Sequence, residues 1–255
     1  MNLKDKIFKK IWDGKKTAHT PIDQSKIEPY SIYKKYIVDI SDKRSGSSSL
    51  ARKKISVWSE CMELLPDDFI GLEFGVFEGR SINFFSKFCS NAVFYGFDTF
   101  DGLPEPWIDP SGRVIGKTGA FKTKFNKISF NENVKIVKGL FQDTLPKFLI
   151  EKQDLLEKVN LIHIDCDIYS STRFVLDQCL SIIKYNKPYI LFDEFVNCIE
   201  GQDENFKVNN KLIDITHGCE SLAFLEFVEK NQIDFEVIVS FLKPKKTSVV
   251  LIKIL

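Results

Sequence analysis

IHIDCDIYSST, residues Ile162 to Thr172, and ILFDEF, residues Ile190 to Phe195, decide the fold. Each opens on an apolar run of the length and character of a buried parallel strand, and each ends in carboxylates. In an open α/β sheet the carboxyl ends of the strands form the ligand crevice. Two such ends bring Asp165, Asp167, Asp193 and Glu194 near one another. Carboxylates at that density repel, so they need a cation, a shared proton or a basic partner. Oxygen ligands of this kind suit a hard cation such as Mg²⁺. Asp167 also precedes the Ser-Ser-Thr run that opens a helix, and it can serve as a cap instead. His163 reads as a strand histidine with its hydrogen bonds satisfied.

Outward from these strands the chain alternates. LARKKISVWSECMELLP, from Leu50, is amphipathic at helical spacing and closes at Pro66. Strands follow at Phe69–Phe74, Val93–Phe97, Val134–Val137, Val159–Ile164 and Tyr189–Phe192. Helices fall at Gly79–Phe88, Thr144–Ile150, Ser171–Ile183 and Ser221–Glu229. This alternation implies right-handed βαβ crossovers and a mostly parallel sheet with helices on both faces. Phe235–Phe241 and Ser248–Ile254 are separated by a short Lys/Pro turn and predict an antiparallel hairpin. Residues 100–133 form a Gly/Pro/Lys-rich excursion, long enough to read as a lid or binding loop. Residues 1–48 are polar and end in SDKRSGSSS, which marks them as an extension, a lid or an oligomer contact, joined to one domain over 49–255.

Composition narrows the function. The 255 residues carry 36 Lys and Arg against 35 Asp and Glu, which lacks the basic footprint of a general nucleic-acid binder. The lysines crowding the first sixteen residues and Lys243–Lys246 read as solvated surface. Cys61, Cys89, Cys166, Cys179, Cys198 and Cys219 form no C-x-x-C pair and read as reduced cysteines of a cytoplasmic protein. The first residues have no apolar core of a secretory signal, and no apolar run reaches the length of a membrane span.

The remaining motifs sit at strand ends. GLEFGVFEGRS, Gly71 to Ser81, joins the first strand to the next helix with spacing E-x-G-x-x-x-G-x-S. Gly75 and Gly79 allow a tight turn and a close backbone approach to a ligand, and the helix N-terminus offers free N–H groups. This is not the dinucleotide pattern G-x-G-x-x-G. A pyrophosphate sits poorly beside Glu73, whereas a cationic amino-acid head sits well. Asp98, in FYGFDTFDGLPEPW, stands about 20 positions after the glycine turn, where an acid holds a ribose diol; it can also cap the segment that follows. Trp107 and Pro104 read as loop packing. In KGLFQDTLP, Gln142 and Asp143 follow the third strand, near a nucleoside's base; Asp143 serves equally well as the N-cap of the next helix. His217 lies in a polar stretch and reads as exposed.

LEFGVFEGRS, FYGFDTFDGLPE, GLFQDTLP, LIHIDCDIYSST and FDEF, in this order, resemble the macrocin O-methyltransferase family, a branch of the class I S-adenosylmethionine (SAM)-dependent methyltransferases. The resemblance covers roughly Phe69 to Phe195 and implies a Rossmann-like sheet. It implies SAM held by Glu73, Gly75 and Ser81 around its methionine part and by Asp98 at the ribose. It implies Mg²⁺ held by Asp165, Asp193 and Glu194, and Asp167 as general base toward a hydroxyl of a sugar or glycosylated small molecule. Many relatives carry Asp-Asp where this chain has Asp193-Glu194. Two other functions use the same frame: a nicotinamide-dependent sugar oxidoreductase, for which the glycine spacing is wrong, and a non-catalytic scaffold, which has no need of the acids.

Overall fold

The computed structural model describes residues 48–108, 114–195, 220–243 and 246–255. The expectations for residues 1–47, for Cys198, Cys219 and His217, and for residues 244–245 of the Lys/Pro turn lie outside them. Helix α1 (Ser48–Leu64) leads into β1 (Ile70–Phe74), α2 (Arg80–Phe88) and β2 (Val93–Asp98). A small hairpin, β3 (Trp107–Ile108) and β4 (Val114–Gly116), precedes β5 (Val134–Lys138) and α3 (Phe141–Glu151). Then come β6 (Val159–Ile164), α4 (Tyr169–Gln178), α5 (Leu180–Asn186), β7 (Tyr189–Phe192), α6 (Glu220–Asn231), β8 (Phe235–Lys243) and β9 (Lys246–Ile254).

Seven strands form one sheet in the order β5-β2-β1-β6-β7-β9-β8. The first five are parallel, and β9 runs antiparallel to both β7 and β8. The strand order reverses at β1, between its neighbours β2 and β6, which is the switch point where such sheets open a ligand crevice. The expected parallel sheet with a C-terminal hairpin is therefore present.

Both faces of the sheet are apolar, so the central strands read as continuous hydrophobic runs rather than as alternation. Ile162, Ile164, Ile190, Phe192, Val250 and Ile252 pack against Leu145 and Phe148 of α3, Val175 and Leu176 of α4 and Phe224 and Phe227 of α6. On the opposite face, Leu161, Leu191, Val249 and Leu251 pack against Ile55, Trp58 and Cys61 of α1 and Ile82, Phe84 and Phe85 of α2. Lys54, Trp58 and Cys61 recur at helical spacing, so a lysine shares the inward stripe of α1.

Two helix assignments need correction. The helix expected at Thr144–Ile150 starts at Phe141, with Leu140 as its N-cap, so Asp143 lies in the first turn and is not the cap. A carboxylate there still complements the helix dipole. The single helix expected at Ser171–Ile183 is two helices that meet at Cys179. The excursion at 100–133 carries the β3–β4 hairpin and a short 3₁₀ turn, Phe125–Lys127.

Candidate active site

The turn between β1 and α2 is held by an anion. Gly75 and Gly79 have φ of +94° and +73°, and Phe77 joins them in the left-handed region at +50°. A Cβ on Gly75 would lie 1.9 Å from the carbonyl oxygen of Asp165, so only glycine fits where β1 and β6 part. The turn aims successive backbone N–H groups at one point, the nest geometry that binds anions. Asp98, from the end of β2, fills it: Val76 N and Phe77 N each donate to Oδ2 at 2.8 Å, and Phe100 N donates to Oδ1 at 2.6 Å. Asp98 thus clasps the turn as well as standing on the wall of the crevice. A carboxylate offers about four acceptor positions, so one remains, enough for one ribose hydroxyl rather than both.

Beneath this turn a polar row crosses three strands. The parallel register sets Glu73 of β1 beside His163 of β6. Glu73 is 2% exposed. Its Oε1 accepts from Ser81 Oγ at 2.8 Å, and its Oε2 meets His163 Nδ1 at 2.9 Å. His163 Nε2 lies 3.5 Å from Asp193 Oδ1, which instead accepts a well-aligned bond from Trp58 Nε1 at 3.0 Å. Burial lowers the histidine's proton affinity, but Glu73 and Asp193 outweigh it and hold His163 well above its ordinary pKa. Burial likewise favours the neutral form of Asp193, yet Lys54, His163 and Trp58 keep it below the usual carboxylate range. This row knits the sheet to α1 and α2, and neither Glu73 nor Ser81 stands on the cavity wall.

The cavity, about 330 Å³, opens at the carboxyl ends of the strands. One wall is Gly75, Phe77, Asp98 and Thr99; a second is Leu140, Phe141 and Gln142. The far end carries Lys54, Asp165, Cys166, Asp167 and Glu194, and the 100–133 excursion covers it with Leu103, Pro104, Trp107 and Phe121. Trp107 and Pro104, expected only to pack a loop, therefore face the cavity too. Trp107 packs with Leu103 and Ile168, and Ser170 Oγ donates to Glu105 at 2.6 Å, tying the excursion to α4. Of the residues expected to bind a ligand, Gly75, Asp98, Gln142, Asp165, Asp167 and Glu194 reach the cavity. Glu73, Gly79, Ser81, Asp143 and Asp193 do not. Gly79 is enclosed, its Cα facing Phe130 and Ile128.

Two residues in this constellation carry no sequence motif. Lys54 Nζ donates to Asp193 Oδ2 at 3.3 Å and to Glu194 Oε1 at 3.0 Å. Burial disfavours its charge, but Asp193, Glu194 and Asp165 raise its pKa well above the ordinary value. Glu220, at the start of α6 and 0% exposed, accepts from the backbone N–H groups of Cys166 and Asp167 at 3.1 Å each. That pair of bonds fixes the β6–α4 turn, in which Asp167 has φ of +65°, a conformation that aspartate tolerates better than most residues. Helical spacing on α1 could have exposed Lys54; nothing local to Glu220 points about 50 residues back along the chain.

The acids divide electrostatically. Burial, reinforced by Asp193, lifts Asp165 to about 6, and burial lifts Glu194 to about 7. Burial, with Asp165, Glu194 and Glu220 as neighbours, raises Asp167 well above the usual carboxylate range. The cap of α4 is Ile168, with no side chain bonded to that helix end, so Asp167 is not its cap. Among the described residues no three His, Cys, Asp or Glu side chains are placed to hold one metal ion. The ammonium of Lys54 stands between Asp193 and Glu194, where Mg²⁺ was expected, and these side chains as placed do not fit that ion.

Residues 72–195 match a family model described as a methyltransferase domain. No curated protein sequence matches the chain. Among solved structures, the calicheamicin methyltransferase CalS11 aligns at TM-score 0.54 and 17% identity, over 98% of this chain and 91% of that one. A cyclopropane-fatty-acyl-phospholipid synthase-like protein from Lactobacillus casei aligns at TM-score 0.51 and 8% identity, over 88% of this chain and 99% of that one. At these identities the similarity is one of fold, the Rossmann-like sheet of class I methyltransferases. The domain match supports a methyltransferase, and the solved structures show its fold. Among the described residues no helix is long and apolar enough to cross a membrane.

Proposed function

We propose that this chain transfers a methyl group from SAM to a hydroxyl of a sugar or a glycosylated small molecule, with Asp167 as general base. The observation that carries the reading is one cavity that joins the Gly75–Asp98 wall to the acids Asp165 and Asp167. The Gly75 turn gives backbone access for the methionine part, Asp98 has one acceptor position left for a ribose hydroxyl, and Gln142 stands beside Phe141 for the base. SAM supplies an activated methyl on a sulfonium, so the protein's tasks are to place the acceptor oxygen in line and to take its proton. Asp167 suits the second task. Burial and the neighbouring acids raise its affinity for a proton, so its carboxylate is a stronger base than an exposed aspartate, and it stands where an acceptor hydroxyl would enter the cavity. Trp107 and Phe121, over the cavity, shield the acids from water and strengthen every charge interaction beneath them.

Calorimetry with S-adenosylhomocysteine tests the cofactor half, and saturable binding is expected. Asp167→Asn tests the base. The variant should retain that binding while single-turnover methyl transfer falls about 10²–10⁴-fold, the usual contribution of a general base. Absence of binding at millimolar ligand overturns the methyltransferase reading. A rate within a few-fold of wild type overturns Asp167 as the base.

A further inference from the structure

We propose that Lys54 is a built-in replacement for a divalent cation: its ammonium holds the place between Asp193 and Glu194, and this chain binds no metal there. The acid trio Asp165, Asp193 and Glu194 has the composition of a hard-cation site, and α1 answers it with two donors one helical turn apart. Trp58 Nε1 takes Asp193 Oδ1 at 3.0 Å. Lys54 Nζ takes Asp193 Oδ2 at 3.3 Å and Glu194 Oε1 at 3.0 Å. Both oxygens of Asp193 are thereby committed to donors from one helix. A divalent ion needs carboxylate oxygens at about 2.0–2.6 Å, and it would have to share them with a positive charge already in contact.

The lysine is not an incidental surface partner. Its side chain is 19% exposed, against 3% for Asp193 and 12% for Glu194. Trp58, packed on Phe84 and Phe85 at centroid distances of 5.4 and 5.8 Å, fixes the helix that presents it. An ammonium has three donors, and two of them meet Asp193 and Glu194. Lys54 also stands on the cavity wall with Asp165 and Asp167. The third donor is thus available to an acceptor oxygen, which a metal would otherwise orient and polarise. That last role rests on the methyltransferase reading; the exclusion of metal does not.

The test is titration of the full-length protein with Mn²⁺, read by electron paramagnetic resonance and calorimetry. Wild type should bind none at this site up to about 1 mM. Lys54→Met removes the charge at similar volume and bares the trio, and it should gain Mn²⁺ affinity at least tenfold. Lys54→Arg keeps the charge and should exclude Mn²⁺ as wild type does. Stoichiometric Mn²⁺ binding by wild type overturns the proposal, as does a folded Lys54→Met protein that binds no more than wild type. If Lys54→Met does not fold, the wild-type titration alone decides. S-adenosylhomocysteine binding on the same sample separates the two readings: its absence defeats the methyltransferase assignment while the Mn²⁺ result still decides the role of Lys54.

Discussion

Replacing Asp98 by asparagine should damage the fold and the cofactor site together. The carboxylate takes N–H groups from Val76 and Phe77 at 2.8 Å each and from Phe100 at 2.6 Å. Asparagine has one carbonyl oxygen. Turned toward Val76 and Phe77, it sets its amide NH₂ against the N–H of Phe100, donor against donor. Hydrogen bonds to a charged group contribute about 1.5–3 kcal/mol, and neutral ones about 0.5–1.5. Two weakened bonds therefore lose about 1 kcal/mol each, and the stranded Phe100 N–H costs about 1–3 more. The anion also holds Phe77 at φ of +50°, so some of that strain relaxes and offsets part of the loss. A net destabilisation of about 3 kcal/mol follows, and in a chain of this size that lowers the melting temperature by roughly 6–12 °C.

Thermal unfolding without ligand, followed by circular dichroism, measures this directly. Calorimetry with S-adenosylhomocysteine on the same samples should show weakened binding, because the Gly75–Gly79 turn loses its clasp. A melting temperature within about 2 °C of wild type, combined with lost binding, would refute the clasp and leave Asp98 as a ligand contact alone. Lowered stability with unchanged affinity would refute the reverse.

Gly75→Ala must place its Cβ 1.9 Å from the Asp165 carbonyl at φ of +94°, so the β1–β6 fork has to open; loss of S-adenosylhomocysteine binding and a melting temperature several degrees lower are expected, and wild-type affinity would contradict the tight fork. Glu194→Gln should alter how stability depends on pH. The folded-state pKa of Glu194 is raised from 4.5 to about 7, so the folded protein binds this proton more tightly than the unfolded chain does. Its ionisation therefore destabilises increasingly as pH rises through that window, fully above it, by an order of ~3 kcal/mol. The melting temperature of the variant relative to wild type should rise between about pH 5 and pH 8, and a flat or falling difference would show that Glu194 is not held protonated by burial.

The sheet was legible because its strands are apolar on both faces. Val159–Ile164 and Tyr189–Phe192 pack into two cores at once, so their runs stand out without reference to partners. The strand-end residues were legible too: Gly75, Asp98, Asp165 and Asp167 all meet at the crevice, since parallel strands deliver their carboxyl ends to one edge. What the sequence hid was direction. Glu73 and Asp98 both sit near strand ends beside the glycine turn, yet Glu73 turns under the sheet to Ser81 and His163 while Asp98 faces the turn. Only the register and the packing of α2 decide that. Lys54 was hidden differently. It lies in an amphipathic helix where a charged residue reads as solvated, and its partners are 139 and 140 positions away. Sequence chemistry called for a cation, a shared proton or a basic partner among the acids; the structure supplies a basic partner, Lys54.

Hydrogen-bond accounting then separates acids that the sequence presents as equals. A buried polar group must be paired, and an unpaired one marks either a cost or a function. Glu73 has a partner on each oxygen, Asp193 is held by Trp58 and Lys54, and three of the four acceptor positions of Asp98 are filled. These three act mainly as fasteners, their oxygens committed to the turn and the polar row that they hold. His163 Nε2, Glu194 Oε2 and Glu220 Oε2 are buried with no hydrogen-bond partner among the described residues; of these three residues Glu194 alone stands on the cavity wall, with Asp165 and Asp167. Burial raises the pKa of these four acids, as it does that of Glu73, so hydrogen bonding and place, rather than proton affinity, separate them from the fasteners. The site lies where Asp165 and Asp167, on the cavity wall, meet the lysine that α1 carries into the crevice. By this reasoning, neutralising a fastener should cost stability first and activity as a consequence. Neutralising Asp167 should cost activity while leaving stability unchanged or improved.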